Sequence, residues 1–226
     1  MYRIIGFFNE NSLWILLGFA TLVSFWWLTH FKEKLKLKWY ASLITALIHT
    51  VLGVLAVKVF AFLESSGEAE FGSMSLFGAV FGMPVLYLIG SLVFKRKPSD
   101  VFDVFTFATV IALFCARINC IVSGCCLGIE LSNGSRVPTR EIELVFYFIL
   151  LNILLAKVPK DKLYGRAYPL FMMSYGLFRF IIEFFRETDR VYFGVFHIAH
   201  LWATVSFIIG IVLFIVITKR HNKKKA

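Results

Sequence analysis

The sequence has few acidic residues, few charged residues of either sign and few prolines. Aspartate and glutamate number 14 against 24 lysines and arginines, and charged residues occupy only 17% of the 226 positions. Soluble domains carry about 25% charged and about 45–50% apolar residues, whereas this chain is 59% hydrophobic with a mean hydropathy of +0.78. The composition excludes an ordinary soluble domain and predicts an all-α polytopic membrane protein.

A cleavable leader and an internal repeat are also missing. The N-terminus has no basic region followed by a small-residue cleavage site, so we expect the first apolar segment to remain as a membrane anchor. No repeat of the inverted-transporter type is visible, which argues against a secondary transporter. We therefore expect one integral membrane domain over residues 1–226.

Cysteines are few, and they are confined to a dozen residues: Cys115, Cys120, Cys125 and Cys126. Zinc sites favour Cys-x-x-Cys or mixed cysteine and histidine spacings, and Cys-x4-Cys-Cys without a nearby histidine matches them poorly. We predict no metal ligand and no cofactor. Small apolar packing residues and a disulfide remain the alternatives for these side chains.

The excess of basic residues has a positional explanation. Sixteen of the 24 lysines and arginines fall in four short clusters at the ends of apolar segments, within residues 32–38, 95–97, 157–166 and 219–225. Basic clusters at segment ends are typical of cytoplasmic loops of membrane proteins. They account for the charge without a nucleic-acid partner.

Seven apolar segments approach the roughly 20 residues that a membrane-spanning helix needs. The ends of these segments alternate between basic and non-basic, and basic ends are expected in the cytoplasm. This pattern predicts an outer N-terminus, a cytoplasmic C-terminus and a short external connection over residues 123–139. The acidic stretch ESSGEAE after Leu63 would also lie outside. The predicted spans are Ser12–His30, Tyr40–Leu63, Ser73–Phe94, Val101–Val122, Glu141–Ala156, Tyr168–Phe185 and Phe196–Ile217.

The stretch YGLFRFIIEFFRETD contains charged residues at helical spacing. Read as a helix, it places Tyr175, Arg179, Glu183 and Arg186 on one face. A charged side chain at the bilayer centre costs about 2.5–3.5 kcal/mol on insertion scales, so these groups should face protein or water. Such an ionic stripe within a membrane segment predicts a functional site.

Helical rise places further charges at the same depth. At 1.5 Å per residue, Arg179 and Arg117 both lie in the outer half of the membrane, and Glu143 begins the fifth span there. We expect a basic cavity whose natural ligand is an anionic phosphate with acyl chains in the lipid. The alternative is that Arg179 pairs with Glu183 only to hold helices together.

Four segments resemble motifs of the prolipoprotein diacylglyceryl transferase family. Tyr175–Asp189 is similar to the family's Tyr, Arg, Glu and Arg stretch, and ARINCIVSGCCLG at Ala116–Gly128 to its Gly-Arg-Ile-Gly-Asn signature. GSMSLFGAVFG at Gly72–Gly82 resembles its Gly-Met-Ser-Phe-His-Gly-Gly run, and RVPTREIE at Arg136–Glu143 its His-Pro-Ser/Thr-Gln-Leu-Tyr-Glu element. The resemblance covers roughly residues 73–218, with residues 1–72 the least similar part.

This resemblance implies transfer of a diacylglyceryl group from phosphatidylglycerol to the cysteine thiol of a prolipoprotein, or another acceptor, at the outer face of the bacterial plasma membrane. By position, Arg117 and Arg179 would hold the phosphate. The other implied phospholipid-binding residues are Glu183 and Arg186, which shape the site, with Tyr175 and Glu143 as polar support.

The chain departs from the family pattern at the histidine assigned as general base. Phe77 stands in its place, and Cys120 and Cys125 replace an asparagine and a glutamate of the signature. His49 or the Cys125 thiol is a possible replacement base. The alternatives to an active transferase are a catalytically inactive lipid-binding or regulatory paralogue, and a transporter or channel using the charged cavity.

Overall fold

The computed structural model describes residues 2–65, 73–187 and 191–223 of the chain. Within those ranges the chain forms seven helices and one short antiparallel strand pair. The helices are α1 Tyr2–His30, α2 Trp39–Glu64, α3 Phe77–Val93, α4 Pro98–Ser123, α5 Thr139–Lys157, α6 Ala167–Glu183 and α7 Ile198–Lys223. The strands are β1 Val191–Phe193 and β2 Phe196–His197.

All seven predicted segments are helical, and four of the helices are long and apolar enough to cross a membrane. These are the Asn11–His30 part of α1, together with α2, α4 and α7. α3 is apolar but shorter, and α3 and α6 each have 17 residues, about 26 Å at 1.5 Å per residue. Seven spans and their orientation therefore stay a prediction.

Two helix boundaries near the ionic stretch differ from those predicted from the sequence: the end of α6 and the start of α7. α6 ends at Glu183, so Arg186 lies in a turn beyond the helix, where its N–H donates to the Glu183 carbonyl at 3.2 Å. The prediction that Phe196 opens the last helix is wrong, because Phe196 belongs to β2 and α7 begins at Ile198. Asp189 and the acidic residues 66–70 lie outside the described residues.

α4 is the central helix of the bundle. It packs against α1, α2, α3, α5 and α6. In its most apolar stretch 72% of the residues are buried, compared with 17% in the corresponding stretch of α7. α2 and α7 expose many large apolar side chains, among them Val51, Leu63 and Ile208. An apolar exterior around a buried central helix is the arrangement expected in lipid.

Two glycines allow the tightest helix contacts. A Cβ on Gly78 of α3 would lie 2.2 Å from the Ala56 carbonyl oxygen of α2. On Gly176 of α6, it would lie 2.6 Å from the Ala203 carbonyl oxygen of α7. Small residues permit such close approach between membrane helices.

Asp103, in the second turn of α4, joins that helix to the start of α6. Its Oδ2 accepts from the Gly165 N–H at 2.6 Å, and its Oδ1 accepts from the Ala167 N–H at 2.9 Å. It thereby satisfies backbone donors at the start of α6. This junction fixes the helix that carries Arg179 relative to the helix that carries Arg117.

Candidate active site

The predicted ionic residues converge at one end of the bundle, where α4 and α6 end and α5 begins. Arg117 lies two turns before the end of α4, Glu143 in the second turn of α5, and Arg179 and Glu183 in the last turns of α6. Antiparallel packing brings these three helix ends together. All four side chains are buried.

Glu143 is shared by three arginines. Its Oε2 lies 2.6 Å from Arg117 Nε, and its Oε1 lies 3.2 Å from Arg179 Nη1 and 3.3 Å from Arg186 Nη1. Only 1% of the Glu143 side chain is exposed. The carboxylate therefore acts as a buried hub that fixes guanidinium groups from α4, α6 and the turn after α6.

A second carboxylate completes the network. Glu183 Oε2 lies 2.7 Å from Arg179 Nη2, the i, i+4 ion pair that the sequence offered as the alternative to a phosphate site, and 3.8 Å from Arg186 Nε. Its Oε1 lies 3.7 Å from His197 Nδ1. The three guanidinium groups and two carboxylates together carry one unit of positive charge in a buried cluster, which favours an anionic ligand.

The arginines line a cavity of about 570 Å³, within the usual range for small-molecule sites. Arg117, Arg179 and Arg186 all contribute to its wall, whereas Glu143 lies behind them. The other polar or thiol-bearing residues of its wall include Tyr175, Glu183, His197, Cys120, Cys125 and Cys126.

Phe77 and Tyr175 form an aromatic part of the same wall. Their rings meet edge to face, with centroids 5.7 Å apart. The Tyr175 hydroxyl is buried and makes no hydrogen bond with the side chains and backbone that the structure describes. It is thus available to donate to a ligand in the cavity.

The segment between α4 and α5 packs against the turn after α6. Ile129 N–H donates to the Phe185 carbonyl at 3.0 Å, and Glu187 N–H donates to the Leu127 carbonyl at 3.1 Å. Gly128 pairs with Arg186 in an isolated β-bridge. These contacts hold Arg186 at the cavity although it lies outside the helix.

A family model for prolipoprotein diacylglyceryl transferase matches residues 10–216, nearly the whole chain. The chain belongs to the prolipoprotein diacylglyceryl transferase family. The four segments that resemble family motifs all lie within the matched range.

Similar family members come from several bacteria. A Clostridium perfringens protein named phosphatidylglycerol–prolipoprotein diacylglyceryl transferase 2 is 25% identical over 69% of this chain and 67% of its own length. A Mannheimia succiniciproducens protein named as the same transferase is 30% identical over 67% of this chain and 62% of its own length. One from Pasteurella multocida is 36% identical over 40% and 35%. The chain thus spans about one third to two thirds of the length of these relatives.

The two suggested replacement bases lie in different places. Cys125 lines the cavity, where a replacement base would have to lie. His49 does not: its Nε2 lies 2.6 Å from the Tyr87 hydroxyl in the core between α2 and α3, and it is absent from the cavity wall among the described residues. The structure therefore does not bring His49 to the arginines.

Among the cavity residues that the sequence reasoning did not assign to the site are Cys120, Cys126 and His197. The cysteine spacing was visible, but not the turn that folds Cys126 back toward α4. Cys126 lies beyond the end of α4, and the pKa of its thiol is held well below its usual range by the hydrogen bond from Cys120 and by the nearby guanidinium groups of Arg186 and Arg117. Nothing in the sequence indicated that His197 lines a cavity, because it was expected inside the last helix.

Proposed function

We propose that this family member is a membrane transferase that moves the diacylglyceryl group of phosphatidylglycerol to an acceptor thiol at the outer face of the bacterial plasma membrane. The proposed acceptor is a prolipoprotein, the acceptor in the names of the relatives, and its cysteine thiol follows from the family resemblance. The observation that carries the proposal is the set of three arginines on one cavity wall, joined through a single buried carboxylate.

Phosphate binding follows from the charge and geometry of that wall. Guanidinium groups offer planar pairs of N–H donors that match phosphate oxygens. Arg117 and Arg179 are the proposed phosphate ligands, Arg186 a third donor, and Tyr175 a neutral one. Glu143 holds the arginines in place from behind, so that their remaining N–H groups can face the cavity.

The reaction is an alkyl transfer from oxygen to sulfur. The acceptor thiol loses its proton, and the thiolate attacks the glyceryl carbon that carries the phosphate. The carbon–oxygen bond breaks as the carbon–sulfur bond forms, and glycerol phosphate leaves with the electron pair on its phosphate oxygen. Arginines positioned around that oxygen stabilise the charge as it develops.

Seven spans with an outer N-terminus and a cytoplasmic C-terminus fit this chemistry. The basic ends of α2, α4, α6 and α7 would then face the cytoplasm, in line with the positive-inside pattern. The cavity would open at the headgroup depth of the outer leaflet, where the phosphate of phosphatidylglycerol lies.

A second candidate function is that of an inactive lipid-binding paralogue. It is favoured by Phe77, which stands at the cavity where the family carries a histidine. Loss of a general base typically costs about 10²–10⁴ in rate. Such a protein would keep the arginine cluster and bind phosphatidylglycerol without turnover.

The test is a transfer assay on the purified full chain with labelled phosphatidylglycerol and a peptide containing a lipoprotein cysteine. We expect label on the peptide, and its loss in Arg179→Ala. Arg220→Ala, an exposed arginine at the end of α7, is the control and should transfer normally. Phosphatidylglycerol that co-purifies with a protein showing no transfer would support the paralogue instead.

A further inference from the structure

Three cysteines converge at the cavity wall. Cys120 lies one turn before the end of α4, which stops at a left-handed Gly124 with φ of 71°. Cys126 also adopts a positive φ, 58°, and the chain turns back. The sulfur atoms of Cys120, Cys125 and Cys126 consequently lie within 4.8 Å of one another.

The start of α5 holds the backbone of this cysteine cluster, defined as Cys120, Cys125 and Cys126. Arg140 Nη1 donates to the Cys120 carbonyl at 3.3 Å and to the Cys125 carbonyl at 3.4 Å. One arginine thus ties the end of α4 to the turn that follows it. The three thiols are kept together by the fold and not by chance proximity in a free loop.

The spacing of the sulfur atoms is close to that of a metal site. A zinc–sulfur bond of about 2.3 Å in tetrahedral geometry separates two thiolates by about 3.8 Å. Closing from at most 4.8 Å requires each sulfur to move by less than about 1 Å, which a side-chain rotation provides. A disulfide would use only two of the three thiols, whereas a metal ion uses all of them.

We propose that the cysteine cluster binds one thiophilic divalent metal ion of the zinc class, and that the acceptor thiol completes its coordination from the cavity. The proposal rests on the transferase function proposed above. All three cysteines line the same cavity as Arg117 and Arg179, so the fourth position would face the space where the phospholipid phosphate binds.

Three protein ligands and one open position are the pattern of a catalytic zinc site. A thiol that coordinates such an ion is deprotonated outright. The proton of the acceptor leaves to water on coordination, and the metal-held thiolate attacks the glyceryl carbon. The phosphate leaves onto the arginines, so the step needs no oxidant or reductant.

The charges on the two sides of the cavity are complementary. A divalent ion with three thiolates carries one net negative charge, and the ionic cluster around Glu143 carries one net positive charge. Arg117 links the two, since its Nη1 lies 3.8 Å from Cys120 Sγ while its Nε contacts Glu143. Before the phosphate and the acceptor bind, the metal site would therefore not leave uncompensated charge at this depth.

The test uses cobalt(II) as a spectroscopic probe on the reduced full chain in detergent micelles. We expect one cobalt ion per chain with thiolate charge-transfer absorption and the strong visible bands of tetrahedral coordination, displaced by zinc. Cys126→Ser should weaken cobalt binding at least about tenfold. Cys115→Ala is the matched control, because Cys115 lies on the same helix but is buried in the core away from the cluster.

Coordination of the acceptor is read without turnover. A lipoprotein-type peptide with a free cysteine should add thiolate absorption to the cobalt spectrum, and its serine analogue should not. Absence of cobalt binding by the reduced protein, or binding unaffected by Cys126→Ser, would overturn the proposal. So would a cysteine peptide that leaves the cobalt spectrum unchanged.

The transfer assay separates this proposal from the function on which it rests. Transfer that survives removal of metal by a chelator would reject the metal site and keep the transferase. The matching result for the proposal is loss of transfer on chelation and its return with zinc. His197→Ala is informative here, because it removes the imidazole of the cavity: transfer lost in this variant but insensitive to chelation would assign the proton to histidine.

Discussion

Replacing Glu143 by glutamine removes the charge that three arginines share. The side chain keeps its shape, but one carboxylate oxygen becomes an NH2 donor facing guanidinium donors at 2.6–3.3 Å. The cluster then holds three guanidinium groups against Glu183 alone. Its net charge rises from one to two positive units within a buried site.

The expected cost is that of breaking a buried ion pair. Removing one partner of such a pair typically costs about 3–5 kcal/mol, because the other charge stays buried and uncompensated. For a chain of 150–250 residues, each kcal/mol corresponds to about 2–4 °C in melting temperature. We expect Glu143→Gln to lower the melting temperature by roughly 10 °C in a neutral detergent.

An anionic lipid should reverse part of this loss. A ligand that binds only the folded state stabilises it by about 2.7 kcal/mol at one hundred times its dissociation constant. The extra positive charge of the variant should strengthen phosphate binding, so phosphatidylglycerol should raise its melting temperature more than that of the unmodified protein. Phosphatidylcholine, which is neutral overall, should give a smaller rise.

Glu141→Gln is the control for this experiment. Glu141 lies two residues earlier in α5, is half exposed, and contacts only Arg140 at 3.8 Å among its ion pairs in the described chain. Exposed pairs contribute about 0–1 kcal/mol, so its melting temperature should hardly change. The reasoning fails if Glu143→Gln has the same melting temperature as the unmodified protein. It also fails if phosphatidylglycerol and phosphatidylcholine stabilise the variant equally.

Three further substitutions test the packing and the cavity. Gly78→Ala should destabilise the protein by about 1–3 kcal/mol through overpacking against α2, whereas Gly90→Ala on the same helix, with open space around it, should not lower the melting temperature. Asp103→Ala leaves two backbone N–H groups without their acceptor, so unfolding in denaturant should show a loss of at least about 1–3 kcal/mol, and Asp103→Asn a smaller one. Tyr175→Phe should raise the KM for phosphatidylglycerol roughly two- to tenfold. Its melting temperature should change little, since the Tyr175 hydroxyl makes no hydrogen bond with the described residues. A large fall in melting temperature would instead show that the hydroxyl stabilises the fold.

The sequence was sufficient to predict the helices, and it offered the i, i+4 pair of Arg179 and Glu183 as the alternative to a phosphate site. Both depend on local spacing, which helical geometry converts directly into contacts. The sharing of Glu143 by Arg117 and Arg179 was not predictable in detail, because it joins three helices through tertiary packing. Depth along each helix suggested only that these groups lie at one level.

Turns account for what the sequence reasoning missed. Arg186 was expected on the helical face of Arg179, yet it reaches Glu143 from a turn after α6, held by the bridge to Gly128. Likewise, the spacing of the cysteines did not indicate that their thiols meet, but the left-handed residues Gly124 and Cys126 fold the chain back and bring the thiols together. The prediction of no metal ligand is untested, and the metal site stays a proposal. A linear spacing rule cannot register a reversal of the chain.

Two of the three helices that carry the ionic cluster, α5 and α6, are less span-like than α4, the helix that carries Arg117. α5 and α6 fall outside the set of long apolar helices, and they contain Glu143, Arg179 and Glu183. Hydropathy averages a helix over all its faces, so side chains that turn inward to a cavity lower the average as much as side chains that face water. Inward-facing charges therefore lower the mean hydropathy of α5 and α6, and α6 is also short, with 17 residues. Spin labels at exposed apolar positions near Glu143 and Arg179, such as Val145 and Leu177, would decide whether both helices cross the bilayer. If they do, collision of the label with lipid-soluble oxygen should dominate. If they do not, collision with a water-soluble nickel complex should dominate.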